Sequence, residues 1–92
     1  MQPSYKFELV TPQGVAYSGE IEHALIPAED GFVGVLANHA PYITSSSGGR
    51  LEVRETGGHE QKFLVGPGFF EVAANRATFL VQSFQNSAAQ AA

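Results

Sequence analysis

Tyr5-Lys6-Phe7-Glu8-Leu9-Val10-Thr11-Pro12-Gln13-Gly14 decides how the rest of the chain is read. Tyr5, Phe7 and Leu9 alternate with Lys6, Glu8 and Val10, a period of two that sends each set to one face of a strand, and Thr11-Pro12-Gln13-Gly14 closes it with turn chemistry. The alternation returns downstream. Val15-Ala16-Tyr17 runs into Ser18-Gly19, and Glu20-Ile21-Glu22-His23-Ala24-Leu25 resumes with Ile21 and Leu25 flanking His23 on one face, which predicts a second hairpin. Pro27-Ala28-Glu29-Asp30-Gly31 reads as a turn and Phe32-Val33-Gly34-Val35-Leu36 as a buried strand, broken by Asn38-His39-Ala40-Pro41.

Further along, Tyr42-Ile43-Thr44 precedes Ser45-Ser46-Ser47-Gly48-Gly49, after which Leu51 and Val53 alternate with Arg50, Glu52 and Arg54. Thr56-Gly57-Gly58-His59 is the best local hairpin signal, because paired glycines supply the positive φ of a tight turn. A returning strand at 61–65, the break Gly66-Pro67-Gly68, the strand Phe69-Phe70-Glu71-Val72, the turn Ala74-Asn75-Arg76 and a last strand through Gln82 complete the pattern. Short strands every 8–12 residues or so, with no amphipathic helix of useful length, predict an all-β antiparallel sandwich or barrel. The residues after Gln82 turn to Ala, Ser, Gln and Asn and read as a frayed tail too short to hold a helix alone.

Composition narrows the function. Ninety-two residues make one domain, 43% apolar and 15% charged, so the chain should fold rather than stay disordered. Five Lys and Arg against nine Asp and Glu leave a net charge of −4, the wrong sign for a phosphate backbone or an anionic lipid surface, so nucleic acid is not an expected partner. The absence of cysteine excludes disulfides, zinc ribbons, iron–sulfur clusters and thiol nucleophiles. No apolar run approaches the ~20 residues of a membrane helix and no signal-peptide pattern opens the chain, which reads as soluble and unexported.

Candidate chemistry is thin. His23, His39 and His59 lack metal-ligand spacing; His23 reads as a sheet-surface residue and His59 as solvated beside its glycine turn. Asn38-His39-Ala40-Pro41 suits either a loop closing on itself through hydrogen bonds or a contact surface, and spacing alone favours the first. Glu29 and Asp30 are adjacent rather than opposed, as in a solvated turn. The glycine pairs lack both the dinucleotide fingerprint and the phosphate-loop ending. Seven Phe and three Tyr at alternating positions favour core packing over base stacking.

The order Phe7-Glu8-Leu9-Val10-Thr11-Pro12, Tyr17-Ser18-Gly19-Glu20, Ile26-Pro27-Ala28-Glu29-Asp30-Gly31, Gly34-Val35-Leu36, His39-Ala40-Pro41, Gly68-Phe69-Phe70-Glu71-Val72 and Asn75-Arg76 resembles the N-terminal β-sandwich domain of the epsilon subunit of F-type ATP synthases, called delta in mitochondria. The resemblance covers about residues 5–82 and implies a sandwich of two five-stranded sheets, about ten short strands. It implies a rotor subunit without catalysis or cofactor, clamping the gamma subunit and resting on the membrane c-ring. By position, Ala28, Glu29, Asp30, Gly31 and Phe32 are the implied c-ring edge. Asn38, His39, Ala40 and Pro41, with Thr44 and Thr11, are the implied gamma surface, which reverses the spacing-only preference for His39.

The same resemblance divides the chain into a sandwich domain at 1–82 and a tail at 83–92, read as the stump of the family's C-terminal helical hairpin. Without that hairpin, neither inhibition of hydrolysis nor nucleotide binding is expected. It also implies a peripheral location on the cytoplasmic face of a bacterial inner membrane, or the matrix or stroma side in an organelle. Three departures stand out: Ala37-Asn38 where the family has Pro-Gly, Phe32 where it has an acidic or small polar residue, and Ser45-Ser46-Ser47-Gly48-Gly49 where it favours a Lys-Pro-Gly turn. Two other readings compete. A stand-alone ligand-binding sandwich would use Phe69-Phe70 near Gly66-Pro67-Gly68, and an enzyme would pair His39 with Glu29 or Asp30.

Overall fold

The computed structural model describes residues 3–86, all strand and turn with no helix among them. Nine strands follow in order: β1 (Tyr5–Thr11), β2 (Gly14–Ala28), β3 (Gly31–Leu36), β4 (Tyr42–Ser46), β5 (Gly49–Glu55), β6 (Glu60–Val65), β7 (Gly68–Ala73), β8 (Arg76–Val81) and β9 (Phe84–Asn86). Hydrogen bonds link them in the path β4-β7-β8-β1-β2-β5-β6-β9, with β3 on β2. Every pairing is antiparallel except β1 against β8, which run parallel from Lys6 opposite Arg76 to Val10 opposite Leu80.

β2 explains the strand count. Its first half pairs with β1 and its second half with β3 and β5. Fifteen extended residues would span about 50 Å, yet the longest dimension of the molecule is 31 Å, so β2 bends and passes from one leaf of a sandwich into the other. One leaf is β4-β7-β8-β1-β2, the other β3-β2-β5-β6-β9. Counting β2 in both yields the two five-stranded sheets that the family resemblance implied. The second hairpin expected at Ser18-Gly19 does not form: Ser18 pairs with Glu8 and Gly19 with Phe7, inside β2.

A bulge marks the passage between leaves. Ile21 lies opposite Glu55 while His23 lies opposite Arg54, leaving Glu22 as the extra residue. One inserted residue flips the alternation. Ile21, Ala24 and Ile26 therefore point inward, and Leu25 does not share Ile21's face as the plain period of two suggested.

Inward residues of both leaves join in one apolar cluster: Tyr5, Phe7 and Leu9 of β1 with Phe70, Val72, Ala77 and Phe79 on one side, Ala24, Ile26, Val35, Leu51, Val53, Phe63 and Val65 on the other. Phe70 and Phe79 meet edge to face at 5.7 Å between centroids. Tyr5 Oη donates to Val35 O at 2.7 Å, a bond between leaves, and burial pushes its phenol pKa up. Four of the seven Phe are core; Phe32, Phe69 and Phe84 are exposed. The expectation of a wholly buried strand at Phe32–Leu36 is likewise corrected. Only Val35 is buried there, because β3 lies at a sheet edge with one face to solvent.

β9 carries the sheet to Asn86, past the end expected after Gln82, by pairing Phe84, Gln85 and Asn86 with β6. The tail was expected over 83–92; its first part holds β9 instead, and 87–92 lie outside the described residues.

Candidate functional site

The β3–β4 connection holds Asn38, His39, Ala40 and Pro41. Asn38 turns the chain in the left-handed region (φ 64°), which Asn tolerates better than most residues. Its N–H donates to Asn75 Oδ1 at 2.7 Å, and Asn75 Nδ2 donates to Ser4 O at 3.0 Å. Asn75 therefore pins three segments: its own β7–β8 turn (Ala74 φ 49°, Asn75 φ 62°), the β3–β4 loop and the approach to β1. His39 Nδ1 lies 2.6 Å from Ala40 O; a carbonyl only accepts, so Nδ1 carries the proton. The half-buried ring also leans on Tyr42 at 5.8 Å between centroids. The loop does close on itself through hydrogen bonds, as spacing suggested, and that closure fixes the direction in which Nε2 points.

Thr44 lies in β4, opposite Phe70, and its Oγ1 donates to Ser45 O at 3.1 Å. β4 pairs with β7 alone and is an edge strand. Thr11 is elsewhere. It ends β1, accepting from the Gln13 N–H at 3.2 Å in the β1–β2 turn, and β7 and β8 separate it from β4. The structure thus gathers Asn38 to Pro41 with Asn75, sets Thr44 along the adjoining edge, and leaves Thr11 at the far end of the leaf.

Ala28, Glu29, Asp30, Gly31 and Phe32 form the tip of the β2–β3 hairpin. Ala28 pairs with Gly31 and Pro27 with Phe32; Gly31 takes φ 118°, a value that suits glycine and strains other residues. Glu29 Oε2 accepts from Ser45 Oγ at 2.9 Å, tying this tip to the end of β4 opposite the His39 loop. Phe32 is 59% exposed on the outer face.

His39 and Glu29, the acid–base pair of the enzyme reading, are each bonded to something else at opposite ends of β4. No group of three potential metal ligands occurs among the described residues. The ligand-cleft reading also fails on geometry: neighbours in a strand face opposite ways, so Phe69 is exposed while Phe70 is buried in the core. A short hydrogen bond from Tyr17 Oη to Glu55 Oε2 at 2.5 Å joins β2 to β5 in a partly buried position. Burial first and the Glu55 bond second push the Tyr17 pKa up, so the phenol stays protonated and supplies no base.

Sequence reading missed the partners. Asn75 stands in it as a turn residue and part of the family signature, Ser45 as a linker residue and Ser4 in no motif, yet these three hold the two candidate edges in place. A left-handed Asn at each of two turns was the one available signal.

Comparison with known proteins agrees with this architecture. The sequence model of the family described as "ATP synthase, Delta/Epsilon chain, beta-sandwich domain" matches residues 4–87. A protein named ATP synthase epsilon chain from Bradyrhizobium sp. (strain ORS 278) is 39% identical over 77 residues, which is 84% of this chain and 56% of that protein. The chain spans little more than half the length of such relatives. In fold it is similar to a chain in the Euglena gracilis mitochondrial ATP synthase OSCP/F1/c-ring structure, with a TM-score of 0.84 at 20% identity over 94% of this chain and 56% of that one. It is also similar to one in the Tetrahymena thermophila mitochondrial ATP synthase central stalk/c-ring structure, at 0.75 and 16% over 92% and 68%. With nearly every described residue inside the matched span and the same sandwich in the relatives, the chain belongs to the ATP synthase delta/epsilon chain β-sandwich family.

Proposed function

We propose that the chain is a non-catalytic central-stalk subunit of an F-type ATP synthase, joining a gamma-type rotor subunit to the membrane c-ring so that torque passes between them. The observation that carries this is the family membership, together with relatives named ATP synthase epsilon chain. The candidate edges suit the role. Asn38, His39, Ala40 and Pro41, pinned by Asn75, with Thr44 and the more distant Thr11, form the surface offered to gamma. A loop whose polar groups are already fixed loses little freedom on docking. Ala28, Glu29, Asp30, Gly31 and Phe32, a hairpin tip braced by Ser45, form the edge offered to the c-ring, with Phe32 adding an apolar contact. A close-packed sandwich deforms little under load. No helix among the described residues is long and apolar enough to cross a membrane. The subunit works from the membrane's periphery, on the cytoplasmic face in a bacterium or the matrix or stroma side in an organelle, and without a nucleotide.

The test is titration of the chain against an epsilon-depleted ATP synthase head that contains gamma, from the same source, read by calorimetry. One-to-one saturable binding is expected. His39→Ala should weaken it about tenfold while the melting temperature changes little, since the loop stays held by Asn75. No binding at high micromolar concentration, or equal losses of binding and stability in the variant, would refute the assignment.

A further inference from the structure

β3 is a bare edge of the second leaf: among the described residues it pairs with β2 alone. Pro27 of β2 stands opposite Phe32 and has no N–H to exchange, so that pair is of the non-bonded kind. Bonded and non-bonded pairs alternate along an antiparallel ladder, which makes Ala28–Gly31, Ile26–Val33 and Ala24–Val35 the bonded ones. The N–H and C=O groups of Phe32, Gly34 and Leu36 therefore point away from β2. None of them enters another hydrogen bond among the described residues. Native sheets guard such an edge with a lysine, a proline or a bulge. Gly31 to Leu36 has no charge and no proline, and its register with β2 runs without a shift. Phe32 and Leu36 are 59% and 58% exposed, two strand repeats apart on the same outer face with Gly34 between them.

We propose that β3 pairs antiparallel with β3 of a second copy of this chain about a twofold axis at Gly34, joining two sandwiches through one continuous sheet. The strand reads nearly the same from either end. Phe32-Val33-Gly34-Val35-Leu36 then sets Val against Val, Phe against Leu and Gly34 against itself. The pairs that carry the free backbone groups, Phe32 with Leu36 twice and Gly34 with Gly34 once, each exchange two hydrogen bonds. On the outer face each Phe32 meets Leu36 of the other copy, an aromatic–aliphatic cross-strand contact. An extended segment of another protein would use the same backbone, but a second β3 matches all five positions at once. The other edges are not self-matched in this way. β4 would set Tyr42 and Ile43 against Ser46 and Ser45, β9 has three residues, and the Glu20 carbonyl in the first half of β2 already accepts from the Thr56 N–H at 3.3 Å.

Charge does not oppose the pairing, although each chain carries −4. The acidic tips Glu29–Asp30 fall at opposite ends of the paired strands, each beside the end of β3 where Ala37, Asn38 and His39 follow without a carboxylate. The charged β5 strands of the two copies stand five strand spacings apart, roughly 24 Å, beyond the screening length of about 8 Å in physiological salt. Phe32 lies in the edge offered above to the c-ring, so on that reading a paired chain cannot sit on the ring, and pairing belongs to the chain before assembly. The pairing itself does not depend on the rotor assignment.

Two measurements on the isolated chain test the proposal. Sedimentation velocity from about 1 µM to about 1 mM, the range of small transient interfaces, should show the mass rising from one chain to two. Phe32→Lys with Leu36→Lys places like charges opposite each other at both outer pairs and should move the midpoint at least about tenfold higher. Phe32→Lys with Leu36→Glu places opposite charges there and should recover most of that loss. Within one chain the two sites are about 13 Å apart along the strand, so neither variant gains an internal ion pair. In the native chain, amide exchange at Phe32, Gly34 and Leu36 should slow as concentration rises through the transition, while β9 at the opposite edge does not change. A chain that stays monomeric to about 1 mM, or a dimer that survives the like-charge variant, would overturn the pairing. So would loss of the dimer to the same extent in both folded variants, or unchanged exchange at the three amides. If a variant fails to fold, the exchange measurement on the native chain decides alone. Failure of the chain to bind an ATP synthase head would refute the rotor assignment without altering any of these results.

Discussion

His23 sits in β2 with Leu36 of β3 on one side and Arg54 of β5 on the other. Its Nε2 would be 3.2 Å from a Cβ on Gly34, so the ring lies over that glycine and any side chain there would displace it. Burial lowers the His23 pKa, the Arg54 charge lowers it further, and Glu52 and Glu60 pull it partly back. The folded chain therefore binds this proton less readily than the unfolded chain, whose imidazole titrates near 6.5. Stability is full above about 6.5 and falls as pH drops from there through the lowered folded value. Melting temperatures of the native chain should decline faster than those of His23→Gln in that window; parallel curves would show that the ring is not strained by protonation. The residue scale was only half legible beforehand. A period of two placed His23 on a sheet surface, but the bulge at Glu22 and the empty site at Gly34 depend on strands more than ten residues away.

Tyr17, Gly19 and Glu55 form a clamp at the element scale. Tyr17 belongs to the first half of β2, yet its hydroxyl reaches Glu55 of β5 and its ring meets Phe7 of β1 at 6.2 Å and Phe63 of β6 at 5.3 Å. One side chain thus ties both leaves where β2 bends. Gly19 makes this possible, because a Cβ there would stand 2.9 Å from Tyr17 Oη. Tyr17→Phe should cost about 1–2 kcal/mol, at or below the low end of the roughly 1.5–3 kcal/mol of a hydrogen bond to a charged group because the site is partly wet. Gly19→Ala should destabilise the native chain more than the Tyr17→Phe chain, with a coupling of at least about 0.5 kcal/mol in denaturant melts. Strictly additive effects would mean that Gly19 serves the strand and not the tyrosine. Ser18-Gly19 looks like a turn in sequence, and its extended form follows from pairing with β1 and this demand for space.

At the scale of the whole molecule the sandwich is closed by its last described strand. β9 pairs with β6, Phe84 packs edge-on against Phe63 at 6.1 Å, and the Gly66 N–H donates to Ser83 O at 2.9 Å. A chain ended after Gln82 keeps the cluster around Phe70 and Phe79 but loses this cover. It should remain cooperatively folded and lose about 1–2 kcal/mol, a fall in melting temperature of roughly 5–15 °C for a domain of this size. An unchanged melting temperature would make β9 an ornament, and loss of the cooperative transition would make it part of the core.

Sequence by itself determined the strands that alternate cleanly, the turns with Gly-Gly at 57–58 and Ala-Asn at 74–75, the all-β class and the family signature, because these depend on neighbours within a few residues and on the order of short motifs. It also placed Asn38 to Pro41 and the turn from Ala28 to Gly31 between strands. Only the tertiary structure decided that β2 serves two leaves, that β1 runs parallel to β8, that Asn75 holds Asn38 and that Glu29 meets Ser45. It alone brought Val15, Val10, Leu80 and Phe69 into one row. Each of these joins residues far apart in the chain, and a period of two says which face a side chain takes without saying which strand will lie beside it.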